Sequence, residues 1–142
     1  MLSDYEQIKN LMVKYCLVTD RGSGSEMAAF FWENARVNFN GRENSGVEAI
    51  TRGFDSWIEK LRAPVEGLRH ILHTPLIEIE GNTAAAEAYY DADGHSKNKG
   101  KLIQLRGLYK DKLEKRGGEW RFIYKEVQIW RSMLDHTGAP KP

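Results

Sequence analysis

His70 and Asp20 are the two side chains in this sequence best suited to proton-transfer chemistry. His70 stands in Arg69-His70-Ile71-Leu72-His73-Thr74-Pro75-Leu76, a stretch that reads as a strand. A neutral imidazole takes up a proton near neutral pH, and a carboxylate can fix its tautomer and stabilise the imidazolium that forms. Asp20 closes an amphipathic segment that reads as the first helix. A carboxylate at a helix C-terminus opposes the helix dipole, which invites a functional explanation. The alternative is a solvated surface acid. Acid and base lie 50 positions apart, so only the fold can bring them together.

The other candidates divide by spacing. His73 is three residues past His70, so strand alternation turns it to the opposite face and marks it as structural or interfacial. A zinc site of His70, His73 and His95 would need three converging ligands and matches no ligand spacing, so no metal is expected. Neither Gly-x-Gly-x-x-Gly nor a phosphate-binding Gly-Lys-Ser/Thr is present, and no cofactor is expected. Asp91 and Asp93 share a face with Glu87 and Tyr89, opposite Ala84, Ala86, Ala88 and Tyr90, which leaves the acids to solvent or to a polar pocket mouth. Phe30, Phe31, Trp32, Phe54 and Trp57 read as core and pocket wall rather than as a platform for stacking bases.

The elements that must position these residues follow from periodicity. Ser3-Asp4-Tyr5-Glu6 is a capping-box pattern, and Ile8, Leu11, Met12, Tyr15 and Val18 then recur at helical spacing up to Arg21-Gly22. A short second helix is expected from Ser25 to Phe31, and a strand over Ala35–Phe39 ended by Asn40-Gly41. Ser45-Gly46-Val47-Glu48 looks like a second capping box, ahead of a helix with Ile50, Phe54, Trp57, Ile58 and Leu61 on one face and Pro64 at its end. Leu68 to Glu80 reads as one strand bent near Pro75, and Thr83 to Asp91 as its partner. A polar loop over Asp93–Gly100 follows. Lys101–Leu113 and Trp120–Arg131 make a long hairpin around Gly117-Gly118. Three helices and long strands predict an α+β fold: a curved antiparallel sheet wrapped around helices as a cone with an internal pocket.

Composition narrows the function classes. At 142 residues the chain reads as one domain, with an ordered core of about 4–132 and a frayed tail over 136–142. Twenty-one basic and 20 acidic residues give a net charge of +1, which argues against a nucleic-acid partner. No apolar run is long enough to span a membrane, and no signal-peptide pattern opens the chain. Cys16 is the only cysteine, so no internal disulfide can form, which suits a cytoplasmic location. Aromatic residues make up 11% of the chain, enough to line a site for an apolar ligand as well as a core. The final hairpin carries Trp120, Phe122 and Trp130 alternating against Ile123, Val127 and Ile129; apolar character on both faces predicts a homo-oligomer, a dimer.

Taken in order, Ile8-x-x-Leu11-x-x-x-Tyr15-x-x-x-x-Asp20, Arg69-His70 with the Leu76–Gly81 strand end, Gly107-x-Tyr109-x-Asp111 and Gly118-Glu119-Trp120-Arg121-Phe122 resemble the nuclear transport factor 2-like superfamily. The likeness is to its SnoaL-like and scytalone-dehydratase-like branch, which includes bile acid 7α-dehydratase and hexachlorocyclohexane dehydrochlorinase. It implies a cystatin-like α+β barrel and a cofactor-free lyase of the dehydratase kind, acting on a small, cyclic, largely apolar substrate. On that resemblance His70 is the base, Asp20 its partner, Tyr15 a donor to a substrate oxygen and Asp93 a second pocket acid. Phe31, Trp32, Phe54 and Trp57 would line the substrate site together with Lys125, which stands where many relatives carry arginine. The same fold also hosts isomerases and polyketide cyclases using such a base, and non-catalytic ligand-binding or dioxygenase β-subunit-like interaction modules.

Overall fold

The computed structural model describes residues 1–130, so the expected tail over 136–142 lies outside the described residues. Helix α1 spans Asp4–Arg21, and the Ser3 side chain accepts from the Glu6 amide as its cap. Helix α2 is shorter than expected, Gly24–Ala28, because Ser23 and Glu26 form a full capping box and the chain turns into a strand at once. That strand, β1, spans Phe31–Phe39, and β2 (Arg42–Ser45) folds back on it. The pairing of Ser45 with Arg36 takes Ser45 out of capping range. Helix α3 (Val47–Trp57) therefore starts from Gly46 at φ 85° with no side-chain cap, and the expected second capping box does not form. A π-helical turn, Ile58–Arg62, follows α3 directly.

The long strand expected from Leu68 to Glu80 is two strands, β3 (Val65–Leu72) and β4 (Leu76–Glu80). Both pair antiparallel with β5 (Thr83–Ser96), and the break, over residues 73–75, contains Pro75, which has no amide for the ladder. β5 runs on through the segment read as a loop, because Asp93, Gly94 and His95 pair with Gln104, Ile103 and Leu102 of β6 (Leu102–Arg116). β7 spans Glu119–Trp130.

These strands make one curved, unclosed seven-stranded sheet in the order β2-β1-β7-β6-β5-β3, with β4 also on β5. All its pairings are antiparallel except β1 with β7, which is parallel. The inner face holds the core: Ala84, Ala86, Ala88 and Tyr90 of β5 face Ile8, Met12 and Tyr15 of α1 and Phe54 of α3. Short side chains on β5 leave room for rings brought in by other elements. The two-sided apolar reading of β7 is corrected by a shift of register: Leu113 pairs with Phe122 but Lys112 with Tyr124, so Ile123 is an extra residue. Trp120, Phe122 and Val127 thus all reach the buried core.

Candidate active site

Among the described residues β3 is an edge strand, with β5 as its ladder partner and no strand on its other side along the sheet path. Edge amides need a partner or water. At His70 that partner is Asp20, whose oxygens accept from the His70 amide at 2.9 and 3.2 Å. The same carboxylate reaches the His70 ring, with Oδ1 2.6 Å from Nδ1. One acid therefore fixes both the backbone and the side chain of the candidate base. An ionised carboxylate only accepts, so Nδ1 carries the proton and the lone pair of the neutral ring is left on Nε2. Both side chains are shielded, at 9% and 10% exposure.

The helix end that carries Asp20 is itself held. Arg62, from the π-helical turn, donates through Nη1 to the carbonyls of Thr19 (3.1 Å) and Gly22 (2.7 Å). Those carbonyls belong to the unpaired last turn of α1, and a cation there offsets the dipole that Asp20 opposes. No local pattern in the sequence marks Arg62 for this part, because its partners lie about forty positions away.

Aromatic rings surround the imidazole. Trp57 lies 6.2 Å away, centroid to centroid, and Tyr90 5.8 Å. Tyr90 in turn stacks on Tyr109 at 4.1 Å and 10°. Its hydroxyl donates to the Gln128 carbonyl at 3.1 Å, across Gly107. Any Cβ at Gly107 would run into that carbonyl and into the Tyr90 ring. The Gly107-x-Tyr109-x-Asp111 pattern is thus one inward strand face: a gap for Tyr90, its stacking partner, and a buried acid. Tyr90 is a site residue that sequence reasoning placed only on the packed face; the glycine opposite it on β6 was the available signal. Along the row His70–Ala92–Leu105 the inner surface is apolar, and Leu105, Ile103, Ile129 and Trp57 are only half-buried there.

The remaining expected site residues separate. Tyr15 is in the core, edge-on to Phe31, Tyr109 and Phe122. Burial pushes its phenol well above the usual value, so it keeps its proton. Phe31 and Phe54 pack on Tyr15 and on each other, as core rather than open wall. Lys125, expected to bind substrate, is fully buried and committed to Asp111, with Nζ 3.0 and 3.2 Å from its oxygens. Burial raises the Asp111 carboxyl, and Lys125 offsets this in part.

Two expectations are corrected by strand alternation. Trp32 points away from Phe31's face: it donates to the Glu114 carbonyl at 2.9 Å, and the guanidinium groups of Arg116 and Arg121 lie over its ring at 4.9 and 4.7 Å. Asp93 is on the outer face, gripped by Arg69 at 2.8 and 3.2 Å, and those hydrogen bonds hold its carboxyl below the usual value. His73 is also outside, paired with Asp91 at 2.7 Å. Two concavities, of about 520 and 340 Å³, open on sheet surfaces away from His70, among Glu78, Glu87, Lys110, Lys112 and Glu126. Among the described residues no three His, Cys, Asp or Glu side chains are grouped to hold a metal, and no helix is long and apolar enough to cross a membrane.

The SnoaL-like domain family model matches residues 1–125, and the chain belongs to that family. Among solved structures, a putative scytalone dehydratase from Novosphingobium aromaticivorans superposes with a TM-score of 0.80 at 21% identity, over 98% of this chain and 92% of that one. An NTF2-like protein with a cystatin-like fold from the same organism gives 0.77 at 21% identity, over 87% and 80%. LinA gives 0.77 at 15% identity, over 97% and 93%. At these identities the likeness is one of fold, and that fold is cystatin-like. No curated protein matches the sequence.

Proposed function

We propose that this SnoaL-like protein is a cofactor-independent lyase in which His70 Nε2 removes a proton from a carbon next to a leaving group. The observation that carries this reading is the shielded Asp20–His70 pair, in which one carboxylate fixes the tautomer and the backbone of the base. As the C–H bond breaks, its electron pair forms the new double bond and expels the leaving group. The imidazolium is stabilised by Asp20 until its proton passes to the leaving group or to water. The apolar inner surface around Leu105, Ile103 and Trp57 suits a small, cyclic, largely apolar substrate. An isomerase or cyclase would use the same base and return the proton elsewhere on the substrate. Neither needs a bound metal or nucleotide. A cytoplasmic homodimer, meeting through the outer face around exposed Tyr89 and Trp130, completes the proposal.

The test is a panel of cyclic β-hydroxy ketones and halogenated rings with product analysis, comparing wild type, His70→Ala and Asp20→Asn. His70→Ala should lose about 10²–10⁴-fold in turnover with the fold intact. Asp20→Asn should lose nearly as much, because an amide cannot stabilise an imidazolium. Turnover unchanged in His70→Ala would end the catalytic reading. A second reading, a subunit-interaction module, is favoured by the placement of the two concavities away from His70. Stable association with a larger partner, together with no turnover on any of the panel, would support it.

A further inference from the structure

The π-helical turn after α3 is bracketed by one residue beside each member of the pair. Trp57, the residue before it, lies against the His70 ring, and Arg62, its last residue, holds the carbonyls on either side of Asp20. In an α-helix, residues five apart point about 140° away from one another. The π turn, closed by the Ala63 amide on the Ile58 carbonyl at 2.8 Å, brings positions five apart back towards the same side. A regular helix through this segment would serve one partner and miss the other.

The turn is also economical in what it uses. Arg62 is half-buried, and one nitrogen supplies both hydrogen bonds. Among the described residues it makes no salt bridge, so its charge is directed at the helix end alone. Helix α1 ends one residue past the acid, at Arg21 with Gly22 as its cap, where terminal turns otherwise fray. A carboxylate that must meet both an amide and a ring nitrogen at hydrogen-bond distance cannot tolerate a frayed backbone.

We infer that Arg62 is a positioning residue for the Asp20–His70 pair and that the π-helical turn exists to deliver it. This rests on the reading of the pair as the reacting centre, but its test needs no substrate. The His70 amide points away from the β5 ladder and is held by Asp20, so its hydrogen exchange reports the clamp directly.

Amide exchange and imidazole ¹⁵N spectra should be recorded on the full chain as wild type, Arg62→Met and Arg62→Lys. In Arg62→Met the His70 amide should exchange at least about tenfold faster, while the β5–β6 ladder amides keep their rates. The low-field Nδ1 proton of His70 should broaden or disappear. Arg62→Lys keeps a cation with donors and should restore most of both signals. If Arg62→Met does not fold, Arg62→Gln is measured in its place and must show the same selective loss at His70. Unchanged exchange at His70, or acceleration shared equally by the β5–β6 ladder, would overturn the proposal. Either result is distinct from failure of the lyase reading, which only the turnover of His70→Ala decides.

Discussion

Lys125→Met should destabilise the protein by about 3–5 kcal/mol, the usual cost of leaving one member of a buried ion pair uncompensated. The side chains of Lys125 and Asp111 are 1% and 0% exposed, so water cannot take the place of the missing partner. Methionine is close to lysine in length and leaves no large cavity, so the loss falls mainly on the Asp111 charge. A further part comes from the ammonium's contacts with the rings of Tyr109, Tyr15 and Phe122, at 3.9, 4.4 and 4.6 Å. The carboxyl can escape only by taking up a proton. Burial already raises it and Lys125 alone opposes that, so removing the lysine raises it further. A carboxyl whose folded value lies above its unfolded value of about 3.9 holds a proton that the unfolded chain gives up. Stability is then fully present below that value and lost as pH rises through the folded one. Urea unfolding followed by circular dichroism should therefore show a midpoint lower by roughly 1–5 M at pH 7, for slopes of about 1–3 kcal/mol/M, with partial recovery at pH 5. Lys125→Met/Asp111→Leu, which removes both charges, should regain most of the loss. A single variant within 1 kcal/mol of wild type, or a double variant no better than the single, would refute this account of the pair.

Cys16 is 3% exposed and burial pushes its thiol up to about 11, so the folded protein should not react with an aromatic disulfide reagent at pH 8 over an hour. The same reagent in urea should titrate one thiol per chain, and rapid reaction of the native protein would contradict the burial. Gly107→Ala should cost about 1–3 kcal/mol and change the near-ultraviolet dichroism, since its methyl displaces the stacked Tyr90 and Tyr109 rings. Tyr90→Phe, which loses only the bond to the Gln128 carbonyl, should cost about 1 kcal/mol. A wild-type spectrum and melting temperature in Gly107→Ala would mean that Tyr90 has room the geometry does not show.

What could be read from the sequence was what a local period controls. The 3.6-residue period of α1 and the alternation of β5 were legible, and they placed Asp20 at a helix end and Asp91 on a face away from the alanines; Asp93, expected as a pocket acid from the resemblance, follows that same alternation to the outer face. Events that depend on a partner were not. β5 runs to Ser96 because β6 is there to pair with it, although Asp93-Gly94-His95 has loop composition. Ser45-x-x-Glu48 looks like a cap, but β1 claims Ser45 first. The extra residue at Ile123 changes the face of everything before it on β7, and nothing in Arg121-Phe122-Ile123-Tyr124 announces it. The π-helical turn is likewise silent, since Trp57 and Arg62 have spacing that in an ordinary helix would set them on different sides.

The site shows why pairing distance alone is a poor signature of function. The chain builds two His–Asp contacts from one stretch, His70–Asp20 at 2.6 Å and His73–Asp91 at 2.7 Å, and by that measure they are equivalent. Their surroundings are not. The side chains of the outer pair are each 50% exposed, where screening leaves such a contact worth about 0–1 kcal/mol and water competes for every donor. Those of the inner pair are 9% and 10% exposed, and its carboxylate also accepts the His70 amide, so the backbone holds the acid and the acid holds the ring. Low local polarity strengthens what a fixed charge does to an imidazolium forming beside it, and a fixed ring needs no reorganisation when that happens. Sequence spacing put the two histidines on opposite faces. The end of α1, held by Arg62, decides which of them meets an acid under those conditions.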